Sequence, residues 1–271
     1  MELENLKDEY RKRGLGICAI SRDTPEILNK FATRKNIAVP LLADPGYEVI
    51  DAFGIINQTI PKDHRNYGIA HPGQYLVGPD QVVQQKIFLE NYWERVTQES
   101  VLIQQFGWSP DIPVGRLETN AFTLEYRASQ TEVRAGNHIT LIFDVHLKDR
   151  MHVYAPEVEG GYIPVSWQLK ESRYYKGLET RFPEAEIIRM EALDEELASY
   201  SGSFRFMQEV VIGTQKNLRV SDQDNAPSIE NLVIEGTFGY QACDDKKCYI
   251  PDEVKVKFVF DVESHDWQKV N

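Results

Sequence analysis

The hydrophobic period of this chain changes once, near residue 110, and that change restricts it to two kinds of fold in succession. Up to that point apolar residues follow helical spacing broken by short apolar runs. Leu3, Leu6 and Tyr10 line one face of a helix predicted over 2–13, which Gly14 ends. Leu15 to Ile20 reads as a strand. Thr24-Pro25 starts a second helix lined by Ile27, Leu28 and Phe31. Val39 to Leu42 reads as a strand, Tyr47 to Phe53 as a short helix, and Gln74–Val77 and Val82–Phe88 as strands around Gly78-Pro79-Asp80. Thr97 is an N-cap for a last helix ending at Phe106-Gly107. This is α/β order. A βαβ unit has a strand before its first helix, whereas here a helix comes first, so the opening strand is read as missing.

After Trp108-Ser-Pro-Asp-Ile-Pro-Val-Gly115 the period is two. Ile139, Leu141, Phe143, Val145 and Leu147 alternate with residues that, except for Ile142, are polar. Val254, Val256, Phe258, Phe260 and Val262 alternate in the same way. Period two with turns between strands predicts an antiparallel β-sandwich. The expected organisation is an α/β domain over 1–107, a linker over 108–118 and an all-β domain over 119–264.

With 42% hydrophobic residues the chain can pack ordinary cores. No apolar run approaches the ~18 residues of a membrane span. No basic-then-apolar leader is visible, which reads as cytoplasmic as written, and extracytoplasmic if a missing N-terminus carried a signal. Most of the formal net charge of −12 falls after residue 110, which disfavours nucleic acid as a partner. His64 and His71 stand in a loop without cysteines or clustered carboxylates and read as turn histidines rather than metal ligands.

Three cysteines are too few for a disulfide-built scaffold, but two of them stand close together: Gly239-Tyr-Gln-Ala-Cys243-Asp-Asp-Lys-Lys-Cys248-Tyr-Ile-Pro251. In extended chain their Cα atoms would be about 16 Å apart, and a disulfide needs less than ~7 Å. Asp244 to Lys247 must therefore turn back, as a hairpin tip would. Closing so short a loop stabilises by only ~2 kcal/mol on the chain-entropy model. A reversible redox pair, a local structural staple and half of a metal site all remain open, and redox chemistry suits the exposed position best. Lys246 and Lys247 beside Cys248 favour its thiolate, while Asp244 and Asp245 beside Cys243 oppose one there. Cys18, within the apolar Leu15–Ile20 run, reads as a buried, inert cysteine.

Leu15-Gly-Ile-Cys-Ala-Ile-Ser21, Pro40-Leu-Leu-Ala-Asp-Pro45, Ala52-Phe-Gly54 and Ile69-Ala-His-Pro-Gly-Gln-Tyr-Leu-Val77 together resemble the AhpC/TSA, peroxiredoxin/thioredoxin-like redoxins. The resemblance implies a thioredoxin-like fold, here truncated, with Pro72 as a cis-proline relic of the active site. It also implies a reactive cysteine at the start of the first helix, where Met1 and Glu2 stand instead. The domain is therefore read as catalytically silent, or as a fragment of a longer redoxin or peroxidase.

Tyr240-Gln-Ala-Cys243 followed by Cys248-Tyr249-Ile-Pro251 resembles the N-terminal domain of the thiol:disulfide interchange protein DsbD, over roughly 120–263 and with four rather than five residues between the cysteines. That resemblance implies an immunoglobulin-like sandwich, a redox-active Cys243/Cys248 pair with Cys248 as the attacked sulfur, and an aromatic cap. Tyr200, in Ser199-Tyr200-Ser-Gly202 after Asp194-Glu195-Glu196, is the candidate cap, and Tyr154, Tyr240 and Tyr249 are candidate neighbours. The function expected is thiol–disulfide exchange with a thioredoxin-like or other thiol protein, as a possible thiol:disulfide oxidoreductase needing no cofactor and no metal. The alternative is a non-enzymatic protein-binding adaptor in which the cysteines are a staple.

Overall fold

A computed structural model of the chain describes residues 2–190 and 195–264. These fall into two compact units, one up to Phe106 and one from Gly107. Met1 and Asp194 lie outside the described residues.

The first unit contains α1 (Glu2–Lys12), β1 (Ala19–Ser21), α2 (Pro25–Lys35), β2 (Leu41–Ala43), α3 (Glu48–Ala52), β3 (Gly73–Val77), β4 (Val83–Phe88), β5 (Arg95–Val96) and α4 (Gln98–Phe106). The helix starts follow local chemistry. The Thr24 hydroxyl accepts from the Ile27 amide and Pro25 follows it, while Gly14 and Gly107 take positive φ just after α1 and α4. Strands β1 and β2 pair in parallel, and β3 and β4 form an antiparallel hairpin.

Three expectations fail in this unit. The strand foreseen over Leu15–Ile20 begins only at Ala19. The Ala19 amide donates to the Pro40 carbonyl, and Pro40, lacking an N–H, cannot extend the ladder. Cys18 lies outside the strand and is exposed rather than buried. The His71–Pro72 bond is trans, not cis. The chain enters β3 at Gly73 in extended form, the His71 amide donates to the Ile55 carbonyl, and trans is the lower-energy isomer.

The second unit consists of strands: β6 (Gly115–Glu118), β7 (Phe122–Ala128), β8 (Glu132–Val133), β9 (Asn137–Leu147), β10 (His152–Tyr154), β11 (Ser166–Leu169), β12 (Tyr175–Arg181), β13 (Glu186–Met190), β14 (Glu195–Ser201), β15 (Ser203–Ile212), β16 (Asn231–Tyr240), β17 (Ala242–Cys243) and β18 (Asp252–Val262). Residues 115–118, inside the stretch read as a linker, thus form a strand paired with β7. One sheet runs β12-β15-β9-β7-β6, a second β11-β16-β18-β8, and a third, smaller one β13-β14-β10-β17. Every pairing along these sheets is antiparallel except β18 with β8.

The first two sheets share one core, as the alternation requires. Ile139, Leu141, Phe143 and Val145 are fully buried, as are Val256 and Phe260 of β18 to within 1%. Phe143 stacks on Phe206 at 4.4 Å and meets Trp167 and Phe258 of the facing sheet at 4.5 and 5.8 Å. Phe122 and Phe206 meet Phe238 across the same gap. Burying one such ring contributes about 1.5–3 kcal/mol, so this aromatic seam is the main adhesive between the sheets.

Candidate functional site

The third sheet positions the cysteines. β16 and β18 form a long hairpin whose last pair is Tyr240 with Asp252. Beyond it the chain does not turn directly. After Gln241 it joins another sheet, and Ala242–Cys243 pair with β10, Cys243 opposite His152. The tip foreseen between the hairpin strands is therefore a smaller turn docked on β10. Period two then sorts the side chains. Val153, Tyr200 and Ala242 point into the main core, while Tyr154, Leu197 and Cys243 form a separate cluster with Val158, Tyr162 and Ile188 packed on it.

Cys243 and Cys248 are joined by a disulfide, their Cα atoms 3.9 Å apart. The two sulfurs occupy different surroundings, since Cys243 is 2% exposed and Cys248 lies on the exposed rim. The turn between them is tied by Asp244. One of its carboxylate oxygens accepts from the Lys246 and Lys247 amides at 2.8 and 2.9 Å, and the other accepts from the Tyr249 hydroxyl at 2.7 Å. The Tyr249 bond, followed by the two amides, lowers the Asp244 carboxyl from its ordinary 3.8 to about 2. The Lys247 ammonium sits 4.8 Å from the centre of the Tyr249 ring, and Asp245 faces Arg150 at 3.9 Å. Three of the four charges of the turn, those of Asp244, Asp245 and Lys247, thus have local partners.

Tyr154 is fully buried, and its hydroxyl lies 3.2 Å from both Cys243 Sγ and Cys248 Sγ, a single donor shared by two weak acceptors. Burial, and secondarily the Glu195 charge, raise its pKa, so it stays a protonated donor. Of the tyrosines singled out in the sequence, Tyr154 is the one placed against both sulfurs. Tyr249 borders Cys248 but bonds to Asp244. Tyr200 is not a cap, because it stacks on Phe204 at 4.3 Å and donates to the Pro183 carbonyl on the other face of the sheet. Tyr240 belongs to the main core, 4.6 Å from Phe122, with its hydroxyl on Asp252 at 3.3 Å. Pro72 belongs to the first unit.

Three residues at the site were not foreseen. His152 shares the face of Tyr154 two positions on, which period two could have indicated. Its pKa is lowered by burial, against the opposing pull of Asp245 and Asp244. Tyr162 lies on Tyr154, ring centres 4.8 Å apart, and donates to Glu195 at 2.6 Å. No local sequence signal links Tyr162 with Glu195. Among the described residues no cluster of three or more His, Cys, Asp or Glu is arranged to hold a metal ion, and no helix is long and apolar enough to cross a membrane.

Residues 1–86, within the first unit, match the AhpC/TSA redoxin family. Among curated proteins the chain is similar to the thiol-disulfide oxidoreductase ResA of Halalkalibacterium halodurans, 37% identical over 54 residues, 20% of this chain and 31% of that protein. It is also similar to the peroxiredoxin Bcp of Escherichia coli, 36% identical over 53 residues, 20% of this chain and 34% of that one. The chain thus spans about a third of the length of the curated relatives it matches. Two solved structures are similar at 12% identity. The N-terminal periplasmic domain of ScsB from Proteus mirabilis has a TM-score of 0.39 over 53% of this chain and 49% of that one. The reduced N-terminal domain of Neisseria meningitidis DsbD has a TM-score of 0.30 over 52% of this chain and 86% of that one.

Proposed function

We propose that Cys243 and Cys248 are a reversible dithiol/disulfide pair that exchanges electrons with a thiol protein, carried on an immunoglobulin-like sandwich that follows, in the chain, a thioredoxin-like module that takes no part in the chemistry. The observation that carries this reading is the asymmetry of the pair: one sulfur on the rim, one buried against a fixed hydroxyl. A partner thiolate can approach Cys248 and not Cys243. It attacks Cys248 Sγ, the Cys243–Cys248 bond breaks, and its electron pair leaves on Cys243 as a thiolate that accepts from Tyr154. The partner's second thiolate then attacks its own sulfur in the mixed disulfide and releases Cys248. The net result is one disulfide reduced and one dithiol oxidised. Run backwards, the same steps oxidise the pair, and no cofactor is needed.

The competing reading is a local staple in an adaptor, favoured by the packing of Cys243 against Leu197 and Tyr154. The reduction potential separates the two. Equilibration of the full chain with thiol/disulfide buffers should give a value well above about −300 mV for a shuttle, and a value below it would make the bond structural.

A further inference from the structure

Between β10 and β11 the chain makes a closed loop over residues 155–165. Its base is fastened by the Ala155 amide on the Ala198 carbonyl and the Val165 amide on the Tyr154 carbonyl, at 3.0 and 2.8 Å. Gly160 and Gly161 both take positive φ, 96° and 85°, a conformation that L side chains resist. A Cβ on Gly160 would also come within 3.2 Å of the Tyr162 ring. This reversal lays Tyr162 on Tyr154 and brings its hydroxyl to Glu195, the first residue of β14. Tyr162 therefore contacts the residue that contacts the sulfurs, and its far end is fixed to a different strand.

We propose that Tyr162, latched by Glu195, is a positioning residue for exchange at the Cys243–Cys248 pair, holding the Tyr154 hydroxyl against the sulfurs so that the thiolate left on Cys243 meets a donor already in place. This rests on the redox reading of the pair. Fixing a buried ring from a second side removes rotational freedom that would otherwise be lost when the thiolate forms. The hydrogen bond to Glu195 also pushes the Tyr162 hydroxyl up to about 12, so the latch stays closed through the pH range of thiol chemistry. The other ionisable groups around Cys243 include His152 opposite it, Asp244, Asp245, Lys246 and Lys247 in the turn, with Asp244 and Asp245 nearest in sequence, Arg150 on Asp245, and Glu195 itself. The carboxylates disfavour a Cys243 thiolate, so a fixed donor matters more there than in a neutral site.

The test uses the full chain and dithiothreitol as the reductant, so that it does not depend on any protein partner. Tyr162→Ala and Glu195→Ala should each slow reduction of the disulfide about tenfold, the effect of losing one charge-assisted hydrogen bond. Glu195→Gln, which keeps an acceptor for Tyr162, should restore most of the rate. In a Cys248→Ser background, alkylation of Cys243 should shift to higher pH when Tyr162 is alanine. In a Tyr154→Phe background, Tyr162→Ala should change the reduction rate less than about twofold, because its route to the sulfur is gone. Equal slowing in both backgrounds, or no slowing with Tyr154 present, would overturn the proposal. Failure to exchange with a thiol protein while the dithiothreitol cycle shows the coupling would count against the redox partner and leave the positioning role supported.

Discussion

Replacing Tyr154 by Phe removes one oxygen from a fully buried ring and leaves the packing against Leu197, Val158 and Tyr162 in place. In the oxidised protein that oxygen makes only neutral contacts with two sulfurs at 3.2 Å, worth about 0.5–1.5 kcal/mol. In the reduced protein it donates to a thiolate, and a hydrogen bond to a charged group is worth about 1.5–3 kcal/mol. The difference, about 1–1.5 kcal/mol, favours the reduced form when Cys243 is ionised. Tyr154→Phe should therefore raise the Cys243 thiol pKa by about one unit. It should also make the reduction potential about 20–30 mV more negative, since 30 mV corresponds to about 1.4 kcal/mol for two electrons. The potential is measured by equilibration with dithiothreitol buffers above the thiol pKa, and the pKa by the pH dependence of alkylation in a Cys248→Ser background. An unchanged potential together with an unchanged Cys243 pKa would refute the assignment of Tyr154 as donor to the leaving sulfur.

Phe143→Ala should cost the second unit about 3–5 kcal/mol in urea unfolding, because the ring is fully buried between Phe206, Trp167 and Phe258; a loss under about 1 kcal/mol would contradict a shared core between the sheets. The Asp244 carboxyl is lowered from 3.8 to about 2, so its share of the turn's stability is complete above roughly pH 4 and is lost as pH falls through about 2. The amide resonances of Lys246 and Lys247 should accordingly titrate with a midpoint near 2, and a midpoint near 3.8 would mean that their bonds to Asp244 are not made.

The change of period near residue 110 and the alternation of β9 and β18 were legible because each is a local pattern repeated over many residues. The cysteine pair was legible from its spacing. Tyr240 could have been assigned correctly, since Leu232, Ile234, Phe238 and Tyr240 share one parity in β16 and all turn inward. Tyr200 failed for the same geometric reason. It pairs with Val153, so it faces away from Tyr154, whose partner is Ser199. The strand over Leu15–Ile20 was overextended because apolar content does not reveal that Pro40 stands where its partner would donate. The side-step of β17 onto β10 and the meeting of Tyr162 with Glu195 are tertiary events. They depend on register between strands distant in sequence and on the reversal at Gly160-Gly161, and neither leaves a periodic trace.

The central claim is that exchange enters through the exposed sulfur. The most direct measurement is trapping with a thioredoxin-like protein whose resolving cysteine has been removed, resolved by non-reducing electrophoresis and peptide mapping. Cys243→Ser should accumulate a mixed disulfide through Cys248, Cys248→Ser should trap far less, and Cys18→Ser should behave as the unaltered chain. Equal trapping by Cys243→Ser and Cys248→Ser, or a mixed disulfide carried by Cys18, would contradict the account.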